Sequence, residues 1–196
     1  MVNIIVELSK YLIITIIIMY TYLCFRIFGY QDAEKKQRML KRQNTLMFML
    51  QLIAFMVLYL EMDDIKILGL YLAQMALFLA TILLYTHIYP RVSRLVVNNM
   101  CMLLSVGFII LCRLDVSTAT RQLIIVTAVN LVALAVPVLI RKMKFLKDLT
   151  WLYAGVGILL LGAVLVLART SYGAKLSLMG IQPSEAIKIT FVFFMA

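Results

Sequence analysis

Six apolar runs near the length of a membrane crossing follow one another along the chain: Tyr11–Phe28, Leu46–Leu60, Ile65–Tyr89, Leu95–Cys112, Gln122–Ile140 and Trp151–Ala168. A seventh starts near Ala186. A helix needs ~20 apolar residues to cross the hydrocarbon core, so this pattern counts spans rather than soluble domains. The Leu46–Leu60 run is short, but helical residues on either side can extend it. Composition agrees: 64% of the residues are hydrophobic and only 14% charged, and a soluble domain needs more polar surface than that. The expected fold is all-α, a polytopic transmembrane helix bundle of about six full spans plus a truncated seventh. That seventh run has 11 residues to Ala196, about half a span, so the sequence reads as an amino-terminal fragment. The segment His87–Arg94, interrupted by Pro90, divides three leading spans (residues 1–94) from the rest (95–196).

The formal net charge of +10 raises the question of a nucleic-acid partner, and its distribution answers it. Alternate loops (26–45, near Pro90, and after Ile140) hold 12 of the 19 basic residues but only three acids, Asp32, Glu34 and Asp148. The opposite loops hold seven basic and six acidic residues. This alternation follows the positive-inside rule through six crossings and predicts an extracellular amino terminus with basic loops in the cytoplasm. The excess charge then orients helices and touches anionic headgroups. No basic groove with interleaved aromatics is present, so nucleic acid is not the expected partner. The first run lacks a basic leader and a small-x-small cleavage site, and reads as a span rather than a signal peptide.

Cys24, Cys101 and Cys112 lie in or beside apolar runs without metal-ligand spacing, and read as small buried residues. His87 is the only histidine, which excludes a multi-histidine metal site within these residues. No cofactor is identifiable, and nothing in the sequence indicates a divalent cation. Gln74, Asn98, Asn99 and Asn130 interrupt apolar runs; such groups usually hydrogen-bond to neighbouring helices, the alternative being a substrate path. Pro137 is expected to kink or end the fifth span. Gly155 and Gly162 share one helix face, which favours close helix contact there, with Gly157 off it. Asp115, between Arg113 and Arg121, reads as a solvated loop residue with a weak ion pair, the alternative being a loop position that touches a lipid headgroup.

The chemistry concentrates near the end. Arg169–Ser184 contains Gly173, Gly180 and Pro183 and is expected to be a non-helical outer loop. Pro183 suits the first turn of a helix, and Glu185 then meets the positive end of the helix dipole. Glu185 and Lys188 are three apart and share one face at the mouth of an apolar span. A carboxylate and an ammonium there are expensive unless paired or bordering a wet cavity. The residues alone leave two readings open: a capped helix with a stabilising ion pair, or a cavity receiving a lipid headgroup whose phosphates meet Lys188 and Lys175.

The run Gln182-Pro183-Ser184-Glu185-Ala186-Ile187-Lys188 resembles the Q-P-S-E-x-x-K signature of the FtsW/RodA/SpoVE family of bacterial division, elongation and sporulation proteins. Gly173-Ala174-Lys175 resembles that family's outer-loop Gly-Ala-Arg/Lys motif, and the resemblance covers about Leu95–Ala196. It implies a protein of the bacterial cytoplasmic membrane that polymerises a lipid-linked disaccharide-peptide (lipid II) at the outer face. It also implies partners: a class B penicillin-binding protein acting as transpeptidase, and other division or elongation proteins. Glu185 and Lys188 would be the functional cavity pair, Gln182, Ser184 and Lys175 would contact substrate, and Pro183 and Gly173 would shape the motif. The family's essential aspartate lies in a later outer loop, so Asp115 is not given that role. The chain departs from the pattern at Ser177, where a tryptophan is common, at Ala186, where Phe or Leu is common, and in a short stretch from Lys175 to Ile181. A lipid II transporter and a non-catalytic membrane scaffold are the competing expectations.

Overall fold

The computed structural model describes residues 2–142, 150–167, 169–171, 174–177, 187–188 and 190–191, with side chains described for 4–138, 151–162, 187–188 and 190–191. Six α-helices follow in order: α1 (Val2–Arg26), α2 (Ala33–Met62), α3 (Ile65–Ile88), α4 (Arg94–Leu114), α5 (Val116–Lys142) and α6 (Thr150–Leu167). A short antiparallel hairpin, β1 (Arg169–Ser171) with β2 (Ala174–Ser177), comes after α6. Each of the six full apolar runs forms a helix. Five of the helices are long and apolar enough to cross a membrane, and α6 adds 18 residues without a charged side chain. By the length and composition of its helices, the chain is an all-α, multi-pass membrane protein.

The helix ends have local causes. α2 starts at Ala33, well before its apolar run, so the cations Lys35 to Arg42 lie on its first turns rather than in a loop. Asp32 makes this possible by accepting a hydrogen bond from the Glu34 N–H at 3.0 Å as N-cap. Pairs Arg38–Glu34 (2.9 Å) and Lys35–Asp32 (3.8 Å) then stitch a charged stretch into helix. Between α2 and α3, Asp63 takes a left-handed conformation (φ 51°) that returns its N–H to the Tyr59 carbonyl at 2.9 Å. Asp64 then caps α3, accepting from the Lys66 N–H at 2.9 Å.

Pro137 does not end α5, which runs on to Lys142. The proline ring costs the helix an internal hydrogen bond and loosens the preceding turn. The carbonyl so freed is that of Ala133; its neighbour, the Leu134 carbonyl, accepts a hydrogen bond from the Tyr89 hydroxyl.

The chain divides into two compact units, Met1–Leu134 and Ala135–Ala196. In the first, α1 packs on α2, α2 on α3 and α4, and α3 on α4. Thus α4, which opens the segment 95–196, belongs by its contacts with the three leading helices. Met47, Leu50, Phe78, Cys101 and Phe108 form the centre of this unit, with the Phe78 and Phe108 rings 6.3 Å apart. Phe55, Leu58, Ile67 and Cys112 form a layer toward the Asp63–Asp64 end, and Leu23, Ile27 and Met39 one toward the opposite end. Large apolar side chains such as Leu103, Ile124 and Leu131 point outward, as expected of surfaces that lipid solvates. In lipid, apolar burial does not drive helices together; packing and interhelical hydrogen bonds do. In the second unit, β2 packs on α6.

Candidate functional site

Gln182, Pro183, Ser184, Glu185 and Gly173 lie outside the described residues. Lys175 stands on β2, opposite Thr170 of β1, so the first part of the expected outer loop is a hairpin. Lys188 lies in helical backbone with its side chain exposed. Within the same unit, Ile187, Thr190 and Phe191 turn toward α6 and close an apolar cavity of ≈ 210 Å³ against Tyr153, Gly157 and Leu161. At ~100° per residue Lys188 stands about 60° from Phe191 and about 100° from Ile187, on the flank of that face.

Among the described residues the close approach in this unit falls on Gly157 rather than on the Gly155–Gly162 face. A Cβ at Gly157 would stand 3.3 Å from Thr190 Oγ1, whereas Cβ atoms at Gly155 and Gly162 would meet none of the described residues within 4 Å. Thr190 Oγ1 is itself tied down, donating to the Ile187 carbonyl at 2.9 Å. Gly157 thus sets the distance between α6 and the helical turn that carries Lys188.

The four polar residues singled out in the apolar runs are bonded to other helices. Asn99 of α4 accepts from the Tyr20 hydroxyl (2.9 Å) and the Cys24 thiol (3.2 Å) of α1. The Gln43 amide of α2 donates to Cys24 Sγ at 3.3 Å. Asn98 donates to Gln43 Oε1 at 3.4 Å and to the Leu40 carbonyl at 3.3 Å. One layer of amides and a thiol therefore joins α1, α2 and α4. Cys24 is a member of it rather than inert filler, while Cys101 and Cys112 are fully buried as expected. Farther along, Gln51 of α2 donates to Gln74 of α3 at 3.2 Å, and Asn130 of α5 donates to Thr81 of α3 at 2.7 Å. The composition of sites matters here: amides, hydroxyls and a thiol hold helices in register, and no carboxylate takes part. This is the chemistry of helix attachment rather than of a proton relay.

Sequence reasoning missed Gln43, Gln51 and Ser105, each fully buried. The signal was present. Gln43, Met47, Leu50, Gln51, Ala54 and Leu58 recur at helical spacing on one buried face of α2. Two glutamines on that stripe mark it as the face turned to other helices.

Charge gathers at the two ends of the first unit. At one, a cavity of ≈ 240 Å³ is bordered by Ser9 and Lys10 of α1, Glu61 of α2 and Arg113 of α4. Asp115 lies at this end and is the cap of α5: it accepts from the backbone N–H groups of Ser117 and Thr118, each at 3.0 Å, and from both hydroxyls. The Thr118 and Ser117 hydroxyls, followed by those N–H groups, hold its carboxyl well below the usual carboxylate range. Neither Arg113 nor Arg121 forms an ion pair with it. Among the described residues no group of three His, Cys, Asp or Glu side chains stands as a metal centre.

These features define a helical, multi-pass membrane protein whose first unit is fastened by buried amides. No family model, curated protein or solved structure matches the chain.

Proposed function

We propose that the protein polymerises a lipid-linked disaccharide-peptide precursor into glycan strands at the outer face of the bacterial cytoplasmic membrane. The observation that carries this reading is the run Gln182-Pro183-Ser184-Glu185 with Lys188 one turn on, at the mouth of an apolar segment. In this reading Glu185 and Lys188 share a helix face that borders a polar cavity, Lys188 and Lys175 meet the pyrophosphate of the precursor, and Glu185 orients a proton or a hydroxyl. The exposed side chain of Lys188 is compatible with that role. By the family resemblance, the catalytic aspartate belongs to a later outer loop and a class B penicillin-binding protein is the working partner. The loop alternation of charge supports an extracellular amino terminus.

The test is Glu185→Ala in the full-length protein, purified with its transpeptidase and given labelled precursor. Glycan strands are expected from the parent and none from the variant at equal expression. Undiminished strand formation by the variant would remove Glu185 from the site.

A further inference from the structure

A second charged cavity lies at the opposite end of the first unit from Asp115, between α1 and α2. It measures ≈ 290 Å³ and is bordered by Arg26, Lys35, Arg38 and Arg42, with Tyr30 at one side and the buried Leu23 and Met39 as its floor. We propose that this cavity binds the phosphate of an anionic phospholipid.

Four cations around one cavity repel one another unless something negative offsets them. Two carboxylates do so in part: Glu34 takes Arg38 and Asp32 takes Lys35. Arg42 has no ion-pair partner among the described residues, and Arg26 has none either. Arg26 is nonetheless held in place. Its guanidinium donates to the Tyr22 and Tyr30 hydroxyls, each at 2.9 Å, and lies over both rings at 5.4 and 5.7 Å. Neutral partners fix its position and leave its charge unmet, with further N–H donors to spare. A fixed guanidinium with free donors is suited to a phosphate.

The surroundings select a lipid over a soluble anion. The cavity opens at the end of α1 where Tyr22, Phe25 and Phe28 are exposed, Phe25 and Phe28 at 74% and 75%. Exposed aromatics at the end of a span belong at the headgroup level of a bilayer. A phosphate in the cavity would thus have its acyl chains beside exposed apolar side chains, while the cations reach the headgroup along their own apolar stems. The proposal needs only that this helix end meets a membrane surface. It is independent of which leaflet that is and of the glycan-polymerising reading.

The test titrates the purified protein in detergent with phosphatidylglycerol and with phosphatidylcholine, reading bound lipid by native mass spectrometry. Saturable binding is expected for phosphatidylglycerol and much weaker binding for phosphatidylcholine. Arg26→Gln with Arg42→Gln should weaken phosphatidylglycerol about thirty-fold, since each basic residue near a surface contributes about 1 kcal/mol, roughly a factor of five. Tyr22→Phe with Tyr30→Phe keeps the rings and frees Arg26, and should give a smaller loss in a fully folded protein. Lys10→Gln with Arg113→Gln, at the other end, should change nothing. Equal binding of the two lipids, or unchanged binding in both cavity variants, would overturn the proposal. Displacement of the lipid by millimolar inorganic phosphate would also overturn it, by making the ligand a soluble anion.

Discussion

Replacing Gln74 with leucine tests whether buried amides fasten the first unit in the way its geometry implies. Gln51 and Gln74 are fully buried and share one hydrogen bond, from Gln51 Nε2 to Gln74 Oε1 at 3.2 Å. Gln51 Oε1 and Gln74 Nε2 have no partner. The pair therefore holds one bond and two unmet groups. Either single change to leucine removes the bond and one unmet group but strands the partner's bonding atom, leaving two unmet groups again. The cost is then the bond itself, ~0.6 kcal/mol on average and up to ~1.7 between membrane helices. The double change, Gln51→Leu with Gln74→Leu, removes the bond and both unmet groups. A buried unmet group costs roughly 1–3 kcal/mol, so the double variant should exceed the parent in stability by about 1 kcal/mol or more. Leucine is close to glutamine in size, which keeps the packing term small. Reversible unfolding in mixed micelles titrated with denaturing detergent reads all four proteins, and a double-mutant cycle isolates the coupling. If the double variant is less stable than both single variants, the two atoms taken as unmet have partners and the reasoning fails.

Gly157→Val should destabilise the second unit by roughly 1–3 kcal/mol, because its side chain collides with Thr190, and adding Thr190→Ala should recover most of the loss in thermal unfolding. Asp115 gives a pH prediction. Its folded-state acidity is raised, so its capping contribution is complete above the ordinary carboxylate value of 3.8 and is lost as pH falls from there through the lower folded value. Hydrogen exchange at the Ser117 and Thr118 amides, corrected for intrinsic rates, should stay constant from pH 7 to about pH 4.5. Asp115→Ala should speed it throughout that range, and equal protection in parent and variant would deny the cap.

How much of this was legible beforehand depended on which force set each feature. Helix positions in α3 and α4 followed from apolar run length, because lipid imposes that length directly, whereas α1 begins at Val2, well before the run expected from Tyr11. The start of α2 did not. Residues 33–45 are charged, and their helicity comes from the Asp32 cap and local ion pairs rather than from lipid. Asn98, Asn99 and Asn130 stood out against apolar neighbours and were found where expected, bonded across helices. Gln43 and Gln51 were harder to see, since Gln43 precedes the apolar run and Gln51 lies within it without forming part of any motif. Gly157 could not be distinguished from Gly155 and Gly162 by spacing within α6. Only the position of Thr190 in the partner turn separates them. The signature residues Gln182 to Glu185 remain a reading of sequence, since they lie outside the described residues.

The proposed activity is the making of glycan strands rather than the movement of their precursor. Detergent solution removes the two sides of a membrane, so transport alone leaves no product there. The protein, purified together with a class B penicillin-binding protein and given labelled lipid-linked disaccharide-peptide in detergent, is predicted to yield a ladder of glycan strands on a gel. Precursor that stays monomeric in detergent, yet crosses the bilayer of vesicles containing the same protein, would contradict it.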